Sequence, residues 1–350
     1  MKYTRIHSKE LDESVVSRWL AMLATEPLYH SPYFHPAYTQ AIARTRDDVY
    51  LLLAEQNNRL CGILPLHHTP QRTTVIGEGL TDYQGWIREQ TELPDCAGAF
   101  RQTGIHRLDF NHVPATFTEF QDYVWKGSRS LTMDLSGGYG AYQQKLQTGR
   151  EASLFKKIDT NVRKLGNKVG PVNFVWHSAE QRDLNALLAG KSDQFVRTLG
   201  EQADIFRTTW IRESVEMLHS AQAPLFAGVL SGLYAGDVLI AAHFGIRSGK
   251  TLHYWFPWYE TRYAEYSPGL ILLARCAEAA AEHGLTMVDL GRGEQAYKQR
   301  FATGSIALSE GVITVPAWKG FFLRKFWLAR EQMKSSVFGQ QLRNLKNRLR

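Results

Sequence analysis

Between residues 225 and 298 the spacing of apolar positions changes period twice. Residues 225–233, 238–246 and 251–258 are short apolar runs separated by the turn segments Tyr234-Ala-Gly-Asp237 and Arg247-Ser-Gly-Lys250, a pattern that predicts three consecutive strands. The period then becomes helical: Leu270, Leu273, Ala274, Ala277 and Ala281 fall on one face. Ser267 stands where an N-cap is expected, and Pro268 suits the first helical position. Gly284 takes the position after the helix, with His283 near the negative end of the dipole. Residues 286–290 then read as a strand. A helix set so tightly between two strands predicts a crossover joining a parallel pair. Its N-terminus would offer backbone N–H groups to an anion.

The N-terminal part carries a weaker version of the same pattern. Residues 11–25 and a shorter segment ending near Arg44 read as helices. Residues 49–56 and 60–66 read as a hairpin across Asn57-Asn58, an echo of the strand pair in 228–244. Further strands are predicted at 73–77, 106–110, 131–135 and 172–176. Residues 139–168 read as helix broken near Gly149, and 183–188, 192–199 and 210–221 as shorter helices. Arg150, Lys156, Lys157, Arg163, Lys164 and Lys168 lie along the broken helix. They form either a solvated face or a basic groove for an anionic ligand.

The order strand-strand-strand-helix-strand resembles the core of the GCN5-related N-acetyltransferases, the GNAT superfamily. Within it the chain is similar to the cellulose-biosynthesis-associated (CelD/BcsL-type) acetyltransferases, relatives of the Fem-type aminoacyltransferases. The residues that carry the resemblance are Gly236-Asp-Val-Leu-Ile-Ala-Ala-His-Phe244, Ser267-Pro-Gly269, Gly293-Glu-Gln-Ala-Tyr-Lys298, Arg163-Lys-Leu165 and Gly170-Pro-Val-Asn-Phe174. The resemblance implies an α/β fold of two tandem GNAT-like halves with mixed sheets flanked by helices. The halves are expected at 1–135 and 136–318, followed by a tail at 319–350.

It also implies transfer of an acyl group from acetyl-CoA or a longer acyl-CoA to an amine or hydroxyl. A sugar or lipid-linked sugar of exopolysaccharide or envelope synthesis is the implied acceptor, and a polysaccharide synthase complex the implied setting. Two rivals stay open: an aminoacyl-tRNA-dependent transferase of Fem type, and a catalytically degenerate scaffold. The resemblance places the coenzyme on Tyr266, Ser267, Pro268 and Gly269. It places the carbonyl-binding splay between the strands at 238–246 and 251–258. One departure stands out: Arg262-Tyr-Ala-Glu-Tyr-Ser-Pro-Gly269 keeps one glycine of the expected pyrophosphate loop and adds an acid.

Acyl transfer needs a proton acceptor, a polarised carbonyl and in-line positioning. Asp82, in a Gly-rich loop beside Tyr83 and Trp86, and His243, on a strand next to the expected splay, are the candidate bases. Tyr83, Trp86, Tyr254 and Asp289 are candidate substrate contacts. Glu294, Tyr297 and Lys298 join them through the resemblance, with Glu294 and Lys298 spaced for an i,i+4 pair. No hydrolase triad or metal-ligand spacing is present. Cys61, Cys96 and Cys276 are too far apart for a zinc or redox motif.

Charge alters the picture only at the end of the chain. Nine of the 41 basic residues and one of the 34 acidic ones lie in 319–350. That leaves the rest nearly neutral, at 32 basic against 33 acidic. The excess is mixed with Trp318, Phe321, Phe322, Phe326 and Trp327. This pattern suits aromatics packed on the body with a solvated basic end, or a helix lying on an anionic membrane. No nucleic-acid-binding motif accompanies it. Without a signal-peptide core or a run approaching about 18 apolar residues, a cytoplasmic location is expected, with the tail peripheral to the inner membrane.

Overall fold

The computed structural model describes residues 1–89, 94–149, 151–223 and 225–335. The strands are β1 (Lys2–His7), β2 (Val49–Gln56), β3 (Arg59–His68), β4 (Thr73–Val75), β5 (Ile87–Arg88), β6 (Arg107–Pro114), β7 (Val124–Asp134), β8 (Val172–Val175), β9 (Gln222–Ala223), β10 (Phe226–Ala235), β11 (Val238–Ser248), β12 (Thr251–Tyr259), β13 (Met287–Arg292) and β14 (Gly304–Thr314). The helices are α1 (Glu13–Leu23), α2 (Pro36–Ala43), α3 (Cys96–Thr103), α4 (Gly138–Gln147), α5 (Leu154–Lys168), α6 (Gln181–Leu199), α7 (Thr209–Ser220), α8 (Pro268–Glu282), α9 (Ala296–Phe301) and α10 (Ala317–Ser335).

These elements form two compact units, and neither is one continuous stretch. The first comprises Met1–Val15, Asp48–Ser128 and the chain from Ala307 onward; the second comprises Val16–Asp47 and Arg129–Ile306. A single cut after residue 135 does not describe this division. Residues 16–47 go with the second unit because α2 packs on α7, and Thr45 Oγ1 lies 2.9 Å from Ser214 Oγ.

In the first unit the strand order is β1-β2-β3-β4-β6-β14. The pairing is antiparallel except for one parallel step, β4 to β6. The hairpin between β2 and β3 turns through Asn57 and Asn58, at φ 52° and 59°. Two successive positive φ values are what a two-residue type I′ turn demands, and asparagine tolerates them.

In the second unit the order is β7-β13-β12-β11-β10-β8. Again all steps are antiparallel but one, β12 to β13. In each unit a helix intervenes before the parallel strand, α3 in the first and α8 in the second.

The core of the second unit gathers around α8. The expected stripe is there, with Leu273, Ala274 and Ala277 buried and Leu270 and Ala281 half-buried. Ile271, Leu272, Cys276 and Ala280 are buried as well. A helix apolar on nearly every side is one packed on nearly every side. Its start differs from expectation. Ser267 makes no capping hydrogen bond and adopts the left-handed conformation, φ 52° and ψ 52°. Pro268 does occupy the first turn. The six residues before Ser267 are wound into a 3₁₀ turn, Thr261–Tyr266, so the chain must reverse sharply to enter α8.

A second difference concerns residues 183–199, expected as two helices and found as one, α6. Gly190 does not break it. A Cβ there would lie 2.0 Å from Nε1 of Trp258, so the missing side chain makes room for the indole. The break near Gly149 is found as expected, between α4 and α5. The α5 cations Lys156, Lys157, Arg163, Lys164 and Lys168 are exposed, a solvated face; Arg150 lies outside the described residues.

Candidate active site

The site forms where two parallel strands part. β12 and β13 pair through Thr251–Met287, Leu252–Val288 and His253–Asp289, and no further. β12 then runs on to Tyr259 with β11 on one edge only, from Phe244–Phe256 to Ala241–Tyr259. This corrects the expected splay between β11 and β12, which stay paired. Pro257 lies in the free stretch of β12. A proline has no N–H for a ladder, and on an edge without a partner it costs nothing.

A cavity of 450 Å³ opens beside that stretch. One wall is β12, through Tyr254, Pro257, Trp258 and Tyr259. A second is the start of α8, through Ser267, Pro268, Gly269 and Leu270, so the positive end of the helix dipole meets the cavity. Asn161 of α5 fixes this turn, its Nδ2 donating to the Tyr266 carbonyl at 2.9 Å. Gln295 and Tyr297 close the site from the β13 side, and Lys191 and Gln194 from α6.

Lys191 is the charged side chain of this lining. Its Nζ donates to the Pro257 carbonyl and to Gln194 Oε1, both at 3.1 Å. Burial, reinforced by the charge of Lys298, lowers its pKa to about 8. The two tyrosines move the other way. Burial raises Tyr297 to about 12 and Tyr254 well above the ordinary phenol value, so both keep their protons at neutral pH. Tyr254 Oη is buried without a hydrogen-bond partner among the described residues.

The sequence-predicted residues divide sharply. Ser267, Pro268 and Gly269 line the cavity, as do Tyr254 and Tyr297; Tyr266 contributes through its backbone carbonyl instead. His243 does not reach the lining. It is fully buried, its ring stacked on Tyr254 at 3.9 Å and 7°, and neither ring nitrogen finds a partner among the described residues. Burial, with His253 nearby, holds its pKa well below the ordinary imidazole value. It acts as a neutral backing plate for Tyr254.

Asp82 belongs to the first unit, with its carboxylate 3.5 Å from His112 Nε2, while every cavity residue belongs to the second. Tyr83 and Trp86 are 1% and 0% exposed core side chains of the first unit and present no surface to a substrate.

Asp289, Glu294 and Lys298 also take roles other than lining the cavity. Asp289 is buried and accepts from Ser130 Oγ at 2.5 Å and from the Gly291 N–H at 2.8 Å. It thereby shapes the end of β13. Asp289→Ala strands both donors in the interior and is expected to lower stability by about 2–4 kcal/mol. A urea midpoint shift at unchanged slope would show this. Glu294 does not pair with Lys298. It is exposed and bonds Arg129 at 2.8 Å, which holds its carboxyl below the usual range. Lys298 is buried and donates to the carbonyls of Arg292 at 2.9 Å and Gly291 at 3.3 Å, tying down the loop after β13.

Sequence reasoning missed Lys191, Gln194, Trp258 and Gln295. Pro257, inside a run that otherwise reads as a central strand, was the available signal for a free edge.

Two α/β units, each built on one parallel step with a helix before it, form the fold of two tandem GNAT-like halves. The family model described as Acetyltransferase (GNAT) domain matches residues 152–299, a span that holds the whole cavity lining. Among solved structures the chain is similar to FemX, at 9% identity over 91% of this chain and 99% of that one, with a TM-score of 0.57. It is similar to the C-terminal domain of a putative lysylphosphatidylglycerol synthetase from Agrobacterium fabrum, at 11% identity over 88% and 94%, TM-score 0.53. A tandem GNAT protein from the clavulanic acid biosynthesis pathway aligns at 11% identity over 89% and 98%, TM-score 0.52. At these identities the likeness is one of fold. No curated protein matches the sequence significantly.

Proposed function

We propose that the protein is an acyltransferase that takes its acyl group from a coenzyme A thioester bound between β12 and β13. The carrying observation is the parting of the two strands after His253 and Asp289, with the start of α8 beside the cavity it opens. The free edge of β12 offers backbone N–H groups to the thioester carbonyl, where charge develops as the acceptor attacks. The first turn of α8 suits the pyrophosphate. Lys191, a fraction of it neutral near pH 8, takes the proton from the attacking amine or hydroxyl. As the tetrahedral intermediate collapses the C–S bond breaks, the leaving thiolate takes the proton that Lys191 carries, and Tyr254 Oη, which keeps its own proton, donates a hydrogen bond to that sulfur. The acceptor class is a sugar or lipid-linked sugar of envelope or exopolysaccharide synthesis, in keeping with the resemblance to the CelD/BcsL-type proteins.

The test is thermal unfolding with acetyl-CoA, longer acyl-CoAs, free CoA and ATP. A ligand at 100 times its dissociation constant adds about 2.7 kcal/mol of apparent stability. A shift with one acyl-CoA, and release of free thiol when amino sugars are added, is the expected result. No shift with any CoA species would sink the thioester reading.

A further inference from the structure

The helix α10 turns an aromatic face to solvent. Trp318, Phe321, Phe322 and Phe326 are 60%, 54%, 63% and 62% exposed. At about 100° per residue they fall within roughly 140° of the helix circumference. Trp327 points to the opposite side, where it stacks on Trp125 with 5.3 Å between ring centroids and 20° between planes. Arg324 donates to the Asp122 carbonyl at 3.2 Å. The helix is thus anchored by its back, and among the described residues Trp327 is the tail aromatic that packs on the body as expected.

Cations accompany the exposed face, Lys319 at its edge and Lys325 within its arc. Lys319 and Lys325 sit over the rings of Trp318 and Phe321 at 5.7 and 4.7 Å, whereas Arg330 lies over Trp327, on the anchored side, at 4.8 Å. The sequence of 319–350 adds further Lys and Arg, nine in all against one acid. Residues 336–350 lie outside the described residues.

Three surfaces could cover such a face. A second copy would bring two strongly cationic segments together. A nucleic acid would satisfy the charge, but no nucleic-acid-binding motif accompanies the helix. An anionic bilayer satisfies both features: rings enter the boundary between headgroups and acyl chains, while ammonium and guanidinium groups stay at the phosphates. No described helix is long and apolar enough to cross a membrane, so α10 would lie along the surface.

We propose that α10 docks the protein on an anionic lipid surface through Trp318, Phe321, Phe322 and Phe326, with Lys319 and Lys325 meeting lipid phosphates. This stands apart from the acyl-transfer reading and does not need it.

The test is co-sedimentation of the full chain with vesicles of phosphatidylcholine alone and of phosphatidylcholine with phosphatidylglycerol. Binding is expected to be at least roughly tenfold stronger to the anionic vesicles and to weaken with salt. The combined change Trp318→Ser, Phe321→Ser, Phe322→Ser and Phe326→Ser should abolish it. Because these side chains are exposed, the thermal transition should not move. Lys319→Glu and Lys325→Glu together should remove the preference for phosphatidylglycerol. Wild-type indifference to both vesicles, or a serine variant that still pellets like wild type, would overturn the proposal. So would a wild-type dimer that ignores lipid and falls to monomer in the serine variant, which would assign the face to a second copy.

Discussion

Lys191→Met is expected to lower the rate of acyl transfer by about 100-fold or more while making the protein more stable at pH 7. Both effects have one origin. The folded-state pKa of about 8 lies below the free amine value of 10.5. At pH 7 the folded and unfolded chains both carry the proton, and the folded chain bears the cost of holding a cation in a buried place near Lys298. A depression of this size corresponds to ~3 kcal/mol. Methionine removes that cost but also the hydrogen bonds to Gln194 and Pro257, so a net gain of ~1–3 kcal/mol is expected.

The stability effect fades with rising pH in a definite window. Between pH 8 and 10.5 the folded chain sheds its proton before the unfolded chain does. Wild-type stability then rises with pH, and the advantage of methionine shrinks. In the kinetic readout, wild-type turnover should climb through pH about 8 and level off, and the variant should lack that limb. A variant with wild-type turnover and the same profile would remove Lys191 from the chemistry. Greater stability alone would then be its only mark. Lys191→Arg keeps a charge that cannot be shed near pH 8, so it should not restore the rate.

Gly190→Ala is the second large effect. In the middle of a helix alanine is ordinarily favoured over glycine by about 1 kcal/mol. Here the added Cβ would lie 2.0 Å from Nε1 and 2.2 Å from Cε2 of Trp258, far inside contact distance. The indole must leave its seat on α6. That overlap outweighs the propensity gain, and a net loss of about 1–3 kcal/mol is expected. Trp258 also lines the cavity, so the displaced ring alters the space next to Lys191. Donor affinity should therefore fall along with the melting temperature. The double change Gly190→Ala with Trp258→Ala should recover stability relative to the single one, because the colliding ring is gone. If Gly190→Ala melted early yet bound acyl-CoA as tightly as wild type, the donor would have to lie elsewhere.

The run of strands, turns and helix from residue 225 to 290 was legible because each switch of period coincides with a turn residue or a helix terminator. The N-terminal hairpin was legible for the same reason, Asn57-Asn58 being a turn signal in any context. What could not be read was where pairing ends. The register of β12 against β13 stops after His253, and nothing in Tyr254-Trp-Phe-Pro-Trp-Tyr259 announces it except Pro257. Ser267, Pro268 and Gly269 could be placed at a helix start, and hence on the cavity wall, because a helix start is a local feature. Lys191 could not, because its significance comes from burial against a strand some sixty residues later. His243 illustrates the converse. A histidine on a central strand looks reactive in one dimension, yet its ring is fully buried under Tyr254. The acid–base spacing of Glu294 and Lys298 misled likewise, since a buried lysine that binds two carbonyls is not available to a surface partner.

The interrupted make-up of the first unit bears on how the chain emerges from a ribosome. β6, complete by residue 114, has β14 as its antiparallel neighbour, and β14 ends at Thr314. For almost two hundred residues of synthesis, then, one edge of β6 has no mate from its own unit. The second unit, by contrast, has all its residues once Ile306 is made. The half that is started first is finished last. An unpaired edge held open for that long is an invitation to wrong pairing, and a chain stopped at residue 306 should complete its second unit and aggregate through its first.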